Sequence, residues 1–141
     1  MASVIEGAIY ARKLELAKNL VKGAERIVIL NALPLNAIQY DGTFYVKCIR
    51  FQNVLTLREL DVPREKLVNY IRHESTVKLL SKLLNVELKP SADLYTHKTG
   101  DVLVIVTLKK PQRGVEVEAR EEDLECFICT AFAILQHGTT D

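Results

Sequence analysis

The pattern of apolar and polar residues divides the chain into helical and extended segments. Residues 4–22 have the spacing of an amphipathic helix, and Gly23 is a natural C-terminal stop. We expect this helix to bury a stripe that consists of Ile5, Ala8, Ile9, Leu16, Leu20 and Val21.

Four segments have the composition or the alternation of β-strands. Ile27–Leu30 and Val102–Leu108 are apolar and rich in β-branched residues, which predicts central strands, and Cys126–Leu135 predicts the last strand. Phe44–Phe51 follows the turn signal Asp41-Gly42 and alternates in polarity. Its predicted faces are Phe44, Val46 and Cys48 on one side and Lys47 and Ile49 on the other.

Two further segments predict helices, and Ala119–Leu124 predicts one helical turn. Pro63 stands at a favoured first position for a helix over Arg64–Ile71. Ser75 or Thr76 is a suitable cap for a second helix that Asn85 ends. The predicted buried face of this second helix is Val77, Leu80, Leu83 and Leu84.

Helices interleaved with about five strands predict an α/β or α+β fold with a mixed sheet. With 141 residues, 48% of them hydrophobic and 26% charged, the chain is expected to form a single globular domain, residues 1–141. No apolar run reaches the roughly 18 residues needed to cross a bilayer, and the N-terminus lacks a signal-peptide core. We therefore expect an intracellular, cytoplasmic protein that does not bind membranes.

The charge balance limits the partners that the chain is expected to bind. Its 19 basic and 18 acidic residues give a net charge of +1. General DNA or RNA binding depends on many phosphate contacts, which this balance does not favour. A small phosphate-bearing ligand held by a local basic cluster remains compatible with it.

Cys126-Phe-Ile-Cys129 has the spacing of a redox or zinc pair, and Cys48 is the third cysteine. In a strand, positions three apart face opposite sides of the sheet, and no second pair completes a zinc site. An odd count without a secretion signal favours reduced thiols. We therefore interpret these cysteines as reduced thiols, with Cys126 and Cys129 in the core.

The stretch NYIRHESTVKLL, residues 69–80, places His73 directly ahead of a helix start. The amides and the dipole at such a place favour an anion. Imidazole, with an ordinary pKa of about 6.5, is able to donate a proton to a leaving oxygen. Taken alone, the stretch is explained more simply by a solvent-exposed loop histidine between the surface charges Arg72 and Glu74.

Two other groups of residues are candidates for ligand binding. Lys109, Lys110, Gln112 and Arg113 precede Gly114, and we call residues 109–114 the basic loop. This loop would either close over an anion or serve as a solubilising hairpin that blunts a sheet edge. Asn31 and Asn36, after the first strand, either cap backbone groups, which is commoner, or read a base edge. His97 and His137, in a polar turn and the tail, are assigned no role.

Three segments of the sequence, taken in order, resemble those of one protein family. LNALPLNAI (Leu30–Ile38), IRHESTVKLLSKLL (Ile71–Leu84) and a strand with a basic loop that ends at Gly114 resemble the viral ring nucleases. Those anti-CRISPR proteins, from viruses of thermophilic archaea, degrade cyclic tetra-adenylate, the second messenger of type III CRISPR defence. The resemblance covers residues 27–135, and residues 1–25 form an N-terminal helical extension without a counterpart.

The resemblance implies a homodimer with a ligand pocket across its two-fold axis, and it implies no metal and no cofactor. It makes His73 the general acid, because the ribose 2′-hydroxyl of the substrate supplies the nucleophile. With the basic loop, the candidate catalytic residues are His73, Lys110 and Arg113. The candidate ligand-binding residues are Asn31, Ala32, Leu33, Asn36, Arg72, Glu74, Ser75, Thr76, Lys109 and Gln112.

The chain departs from the family pattern at several positions. Arg72 stands where the family usually has Gly, and Pro34 where a small hydroxyl residue is common. Alignment on Gly114 puts Lys110 at the Arg position and Arg113 at the Glu position of the loop, so the acidic helper is missing there. Three hypotheses follow: a ring nuclease, a non-catalytic nucleotide-binding sponge or regulator, and a viral or archaeal interaction protein without a small ligand.

Overall fold

A computed structural model describes residues 2–110 and 120–135, with the side chains of residues 4–110 and 120–134. Within these residues five β-strands form one sheet, and two α-helices flank it. In chain order the elements are α1 Ala2–Gly23, β1 Arg26–Leu30, β2 Gly42–Phe51, β3 Leu67–Asn69, α2 Glu74–Leu84, β4 Asp101–Leu108 and β5 Leu124–Leu135.

The strands lie in the order β2-β5-β4-β1-β3, and the sheet is mixed. β1 pairs in parallel with both β3 and β4, whereas β5 pairs antiparallel with β2 and β4. The architecture is therefore the predicted single α+β domain with a mixed sheet and an additional N-terminal helix. None of the helices in the described part of the chain is long and apolar enough to span a membrane.

The central strands β1 and β4 are buried on both faces, and their successive side chains point to opposite sides of the sheet. One face of β1 and β4, including Ile27, Ile29 and Val104, packs against both helices. The opposite face, including Val28 and Leu103, packs against Ala37 and Tyr95 from two long loops. As expected from their spacing, Cys126 lies on the helical face and Cys129 on the other.

The predicted buried stripe of α1 is wrong from Ile5 to Leu16 but right at its C-terminal end, where Leu20 packs against the core and Val21 is buried. Ile5, Ile9 and Leu16 are 62%, 54% and 47% exposed, whereas Ala17 and Val21 are buried. The rotation of the helix is set by tertiary contacts: Tyr10 packs edge-on against Phe51, and the Lys13 ammonium lies over the same ring. Apolar periodicity alone could not select between two adjacent faces of this helix.

The helix predicted over Arg64–Ile71 is also wrong. Arg64–Lys66 forms a single 3-10 turn, and the chain continues as β3, which pairs with β1 from Ile27 to Ile29. The Asn69 side chain then donates to the carbonyl oxygens of Ile71 (3.0 Å) and Lys89 (2.8 Å), which fixes the turn after the strand. Sheet pairing overrides the weak local helix propensity of this segment.

The expectation of three reduced cysteines is wrong as well. Cys48 on β2 and Cys129 on β5 are directly paired in the antiparallel ladder, and their sulfur atoms form a disulfide. Cys126 is the one free cysteine among the described residues, and burial raises the pKa of its thiol to about 12. The sequence could not show the disulfide, because the cross-strand register brings together residues that are 81 positions apart.

An ion pair between a partly exposed arginine and a buried aspartate joins the starts of β1 and β4. Arg26 donates to both carboxylate oxygens of Asp101, through Nε at 2.8 Å and Nη2 at 2.6 Å. Tyr95 Oη donates to Asp101 Oδ2 at 2.6 Å, and the Lys98 amide donates to the same oxygen at 3.1 Å. Burial acts to raise the pKa of Asp101, but these hydrogen bonds outweigh it and hold that pKa below its ordinary value.

Candidate functional site

The three parallel strands bring the sequence candidates to one edge of the sheet. Asn31 follows β1, the segment that leads to His73 follows β3, and Lys109 follows β4. Carboxyl ends of parallel strands are the usual location of ligand crevices in such sheets. A cavity of about 1040 Å³ at this edge is lined by Asn31, Arg72, His73, Glu74, Ser75, Val77, Lys78, Ser81, Glu87, Leu88 and Pro90.

His73 is the N-cap residue of α2, which begins at Glu74 and therefore earlier than predicted. His73 has extended backbone angles (φ −68°, ψ 114°), makes no side-chain cap bond, and is exposed to solvent. Ser75 and Thr76 lie in the first turn and do not cap the helix. The predicted stop at Asn85 is confirmed by its left-handed conformation (φ 53°, ψ 48°).

The imidazole of His73 is oriented by two hydroxyl groups. Its Nδ1 atom lies 3.1 Å from Thr76 Oγ1 and 3.2 Å from Ser75 Oγ. In the imidazolium form, which is the one able to donate a proton, both ring nitrogens carry hydrogen, so Nδ1–H donates to a hydroxyl and Nε2–H is left for a ligand. His73 thus combines a fixed ring, a proton-donating nitrogen and the first-turn amides of a helix, which favour an anion.

The structure brings some, but not all, of the candidate residues together. Asn31, Arg72, His73, Glu74 and Ser75 line the cavity, and Thr76 acts on it through His73. The remaining described candidates do not line the cavity: Ala32, Leu33, Asn36, Lys109 and Lys110. Leu33 packs on the far face of the sheet, and Asn36 lies exposed in the 3-10 turn Leu35–Ala37.

Part of the predicted basic loop lies outside the described residues, namely Gln112 and Arg113. Lys109 and Lys110 are exposed just beyond β4, at the same edge of the sheet as the cavity. The Lys109 amide donates to the carbonyl oxygen of Asp123 at 2.9 Å, so the start of the loop is held by the turn before β5.

Several residues that line the cavity are not among the sequence candidates. Lys78 and Ser81 follow Glu74 at the i+4 and i+7 positions of α2, so helical spacing could have revealed them. Glu87, Leu88 and Pro90 come from the loop after the helix, and no local signal predicts that this loop turns back along α2.

His97 is buried on the far face of the sheet rather than in the polar turn that the sequence predicts. Its Nδ1 atom lies 2.7 Å from Tyr40 Oη, and Phe44 and Tyr95 surround the ring. It lies apart from the cavity lining. Among the described residues, no three His, Cys, Asp or Glu side chains are grouped closely enough to hold a metal ion.

Residues 27–131 match the family model of STIV B116-like proteins, and the chain belongs to this family. Among solved structures, the fold is similar to that of B116 of Sulfolobus turreted icosahedral virus, with a TM-score of 0.52 and 18% sequence identity. The match covers 74% of this chain and 97% of B116. A search of curated proteins finds no significant match. The chain is thus related to a protein of an archaeal virus, and α1 lies outside the family match.

Proposed function

We propose that this protein is a metal-independent ring nuclease that opens cyclic tetra-adenylate to linear di-adenylates and so counters type III CRISPR signalling. The observation that carries the proposal is the orientation of His73. Its Nδ1 atom faces the Ser75 and Thr76 hydroxyls at the start of a helix, and the ring borders a cavity of about 1040 Å³. A cavity at the upper end of the usual range for ligand pockets suits a ligand larger than a mononucleotide.

The chemistry needs only groups that the substrate, the cavity and water provide. The ribose 2′-hydroxyl loses its proton to water as its oxygen attacks the adjacent phosphorus, the bond from phosphorus to the 5′-oxygen breaks, and a 2′,3′-cyclic phosphate forms. The imidazolium form of His73 donates its Nε2 proton to the leaving 5′-oxygen and becomes neutral, a step that contributes typically about a hundred- to ten-thousand-fold to the rate. The amides of the first turn of α2, together with Arg72, would stabilise the charge on the phosphate oxygens.

The proposal includes a homodimer. A cyclic tetranucleotide has two-fold symmetry, so a two-fold protein site would place one His73 opposite each of two phosphodiesters. Two cuts at opposite positions yield two di-adenylates. The basic loop residues Lys110 and Arg113 would bind phosphates from the edge of the cavity.

A second candidate function is binding without turnover, as a sponge or regulator. It is favoured by one observation: Arg113 occupies the loop position where the family has an acidic helper, so this group is missing there. Phosphate binding would be retained or strengthened by the added cation, while the rate of the chemical step would fall.

One incubation distinguishes these functions. The protein is mixed with cyclic tetra-adenylate in EDTA, and both the products and the bound intact ring are measured. Linear di-adenylates with 2′,3′-cyclic phosphate ends, or their hydrolysed forms, support the nuclease. Intact ring that remains bound supports the sponge, and neither binding nor cleavage supports an interaction protein without a small ligand.

A further inference from the structure

The cavity extends well beyond His73. Its helical wall continues from Glu74 through Lys78 to Ser81, which at 1.5 Å per residue places Ser81 about 12 Å along the helix axis from His73. We call the part of the cavity that is lined by Lys78, Ser81, Glu87, Leu88 and Pro90 the distal groove. This length exceeds what one phosphodiester at His73 would occupy.

The far wall of the distal groove is anchored to the helix. The Leu88 amide donates to Ser81 Oγ at 3.0 Å, and Ser81 Oγ donates in turn to the Val77 carbonyl at 2.8 Å. At the other end of the wall, Lys89 accepts the 2.8 Å hydrogen bond from Asn69, and the Ser91 amide donates to the Ile71 carbonyl at 2.9 Å. Because both ends are fixed, the groove is formed before any ligand arrives.

Two opposite charges face this groove. Lys78 and Glu87 are exposed cavity residues, and no ion pair in the described part of the chain includes either of them. The lysine offers three donors and a positive charge, whereas the carboxylate only accepts hydrogen bonds. Leu88 and Pro90 add an apolar surface to the same groove. A phosphate chain alone would use the lysine, but it would be repelled by the carboxylate.

We propose that the distal groove is a nucleotide subsite, which holds the adenylate next to the bond that is cleaved. Lys78 contacts its phosphate, Leu88 and Pro90 cover the face of its base, and Glu87 accepts a hydrogen bond from the exocyclic amino group of adenine. This inference rests on the proposed function and adds the source of its preference for adenine. A ring that carries hypoxanthine presents a carbonyl oxygen at that position, which a carboxylate disfavours.

The test measures binding of cyclic tetra-adenylate and of the matching hypoxanthine ring. His73→Ala protein serves as the parent, so that the rings stay intact. Lys78→Met should weaken binding of the adenine ring about tenfold, because it removes one charge-assisted hydrogen bond to phosphate. Lys82→Met, on the last turn of the same helix and outside the cavity, is the matched control and should leave binding unchanged.

Glu87→Gln tests the hydrogen bond to the base, because glutamine also offers an amide donor to the hypoxanthine carbonyl. The parent should prefer the adenine ring about tenfold, and Glu87→Gln should reduce this preference several-fold; Glu65→Gln, exposed and outside the cavity, should preserve it. If the parent binds the adenine ring but the variants retain its affinity and preference, the subsite is wrong and the proposed function stands. If the parent binds no ring, both are overturned.

Discussion

His73 is the residue on which the proposed chemistry depends. His73→Ala should slow single-turnover cleavage of cyclic tetra-adenylate by roughly a hundred- to ten-thousand-fold, because it removes the proton donor for the 5′-oxygen. Binding should change little, since the helix amides and basic side chains hold the phosphates in the ground state. Rapid-quench kinetics with enzyme in excess gives the rate, and equilibrium titration gives the affinity.

A substitution at Thr76 tests whether its hydroxyl orients the His73 ring. Thr76→Val keeps the shape of the side chain and removes the group 3.1 Å from Nδ1, so the rate should fall less than in His73→Ala. Circular dichroism verifies that both variants are folded. If folded His73→Ala protein cleaves the ring at the rate of the unmodified protein, the proposed mechanism is wrong. If the variant loses both folding and binding, His73 has a structural role.

Asp101 links stability to pH. Its pKa is lowered in the folded protein, so its contribution to the free energy of unfolding is complete above the unfolded value of about 3.9 and is lost as pH falls through the folded value. In urea denaturation, the free energy of unfolding should therefore fall as the pH is lowered from about 5 into the strongly acidic range.

The matched variant for this residue is Asp101→Asn. It should lower the free energy of unfolding by about 1.5–3 kcal/mol at neutral pH, because the Arg26 guanidinium is left without its charged acceptor. Its stability should also fall less than that of the unmodified protein on acidification. An identical acid dependence in both proteins would remove Asp101 as a source of the effect.

At the scale of elements, the sequence predicts what local periodicity determines. The two central strands, the last strand and the buried face of α2 follow from alternation or helical spacing, and Val77, Leu80 and Leu83 are buried as expected. The helix predicted over Arg64–Ile71 is wrong because the conformation of this segment depends on pairing with β1, which lies about forty residues earlier. The predicted face of α1 is wrong from Ile5 to Leu16 because contacts with Phe51, on another element, fix the rotation of this part of the helix.

The basic loop is the element expected to determine affinity. A double variant, Lys110→Ala with Arg113→Ala, should weaken binding of cyclic tetra-adenylate by about 1.5–3 kcal/mol for each charge-assisted hydrogen bond that it removes. The effect should appear in the dissociation constant more than in the single-turnover rate at saturating enzyme, because these hydrogen bonds already form in the ground state.

Lys22→Ala with Lys98→Ala is a charge-matched control for this loop. Lys22 lies in the last turn of α1 and Lys98 precedes β4, so both lie near the edge of the sheet opposite the cavity. A comparable loss of affinity in the control would show that only net charge matters. Unchanged binding in the loop variant would exclude the loop from the site.

At the scale of the whole molecule, the cross-strand disulfide is a second feature that the sequence did not reveal. The Cys48–Cys129 bond joins residues 81 positions apart, so reducing it should lower the free energy of unfolding by about 2–4 kcal/mol. Denaturant titrations with and without reductant measure the difference. Cys48→Ser should make the protein insensitive to reductant, and three free thiols in the unreduced, denatured protein would contradict the bond.

The candidate site shows the same division between local and long-range information. His73, with its hydroxyl neighbours, was predictable because the helix start and the residues that orient the ring lie within four positions. Glu87 and Leu88 were not, because their place in the cavity depends on the bond from Leu88 to Ser81 and on the path of the loop. The convergence of Asn31 and His73 required the parallel pairing of β1 with β3.

The oligomeric state is the broadest prediction. A two-fold ring bound at a two-fold site requires two copies of the chain, each contributing one His73, so multi-angle light scattering should give a dimer at micromolar concentration. Titration should saturate at one ring per two chains, and mixing His73→Ala with unmodified chains should yield dimers that make one cut and release a linear tetra-adenylate. A chain that stays monomeric both with and without ligand, and that binds one ring per chain, would contradict the two-fold site. Cleavage at a single histidine would still be open in that case.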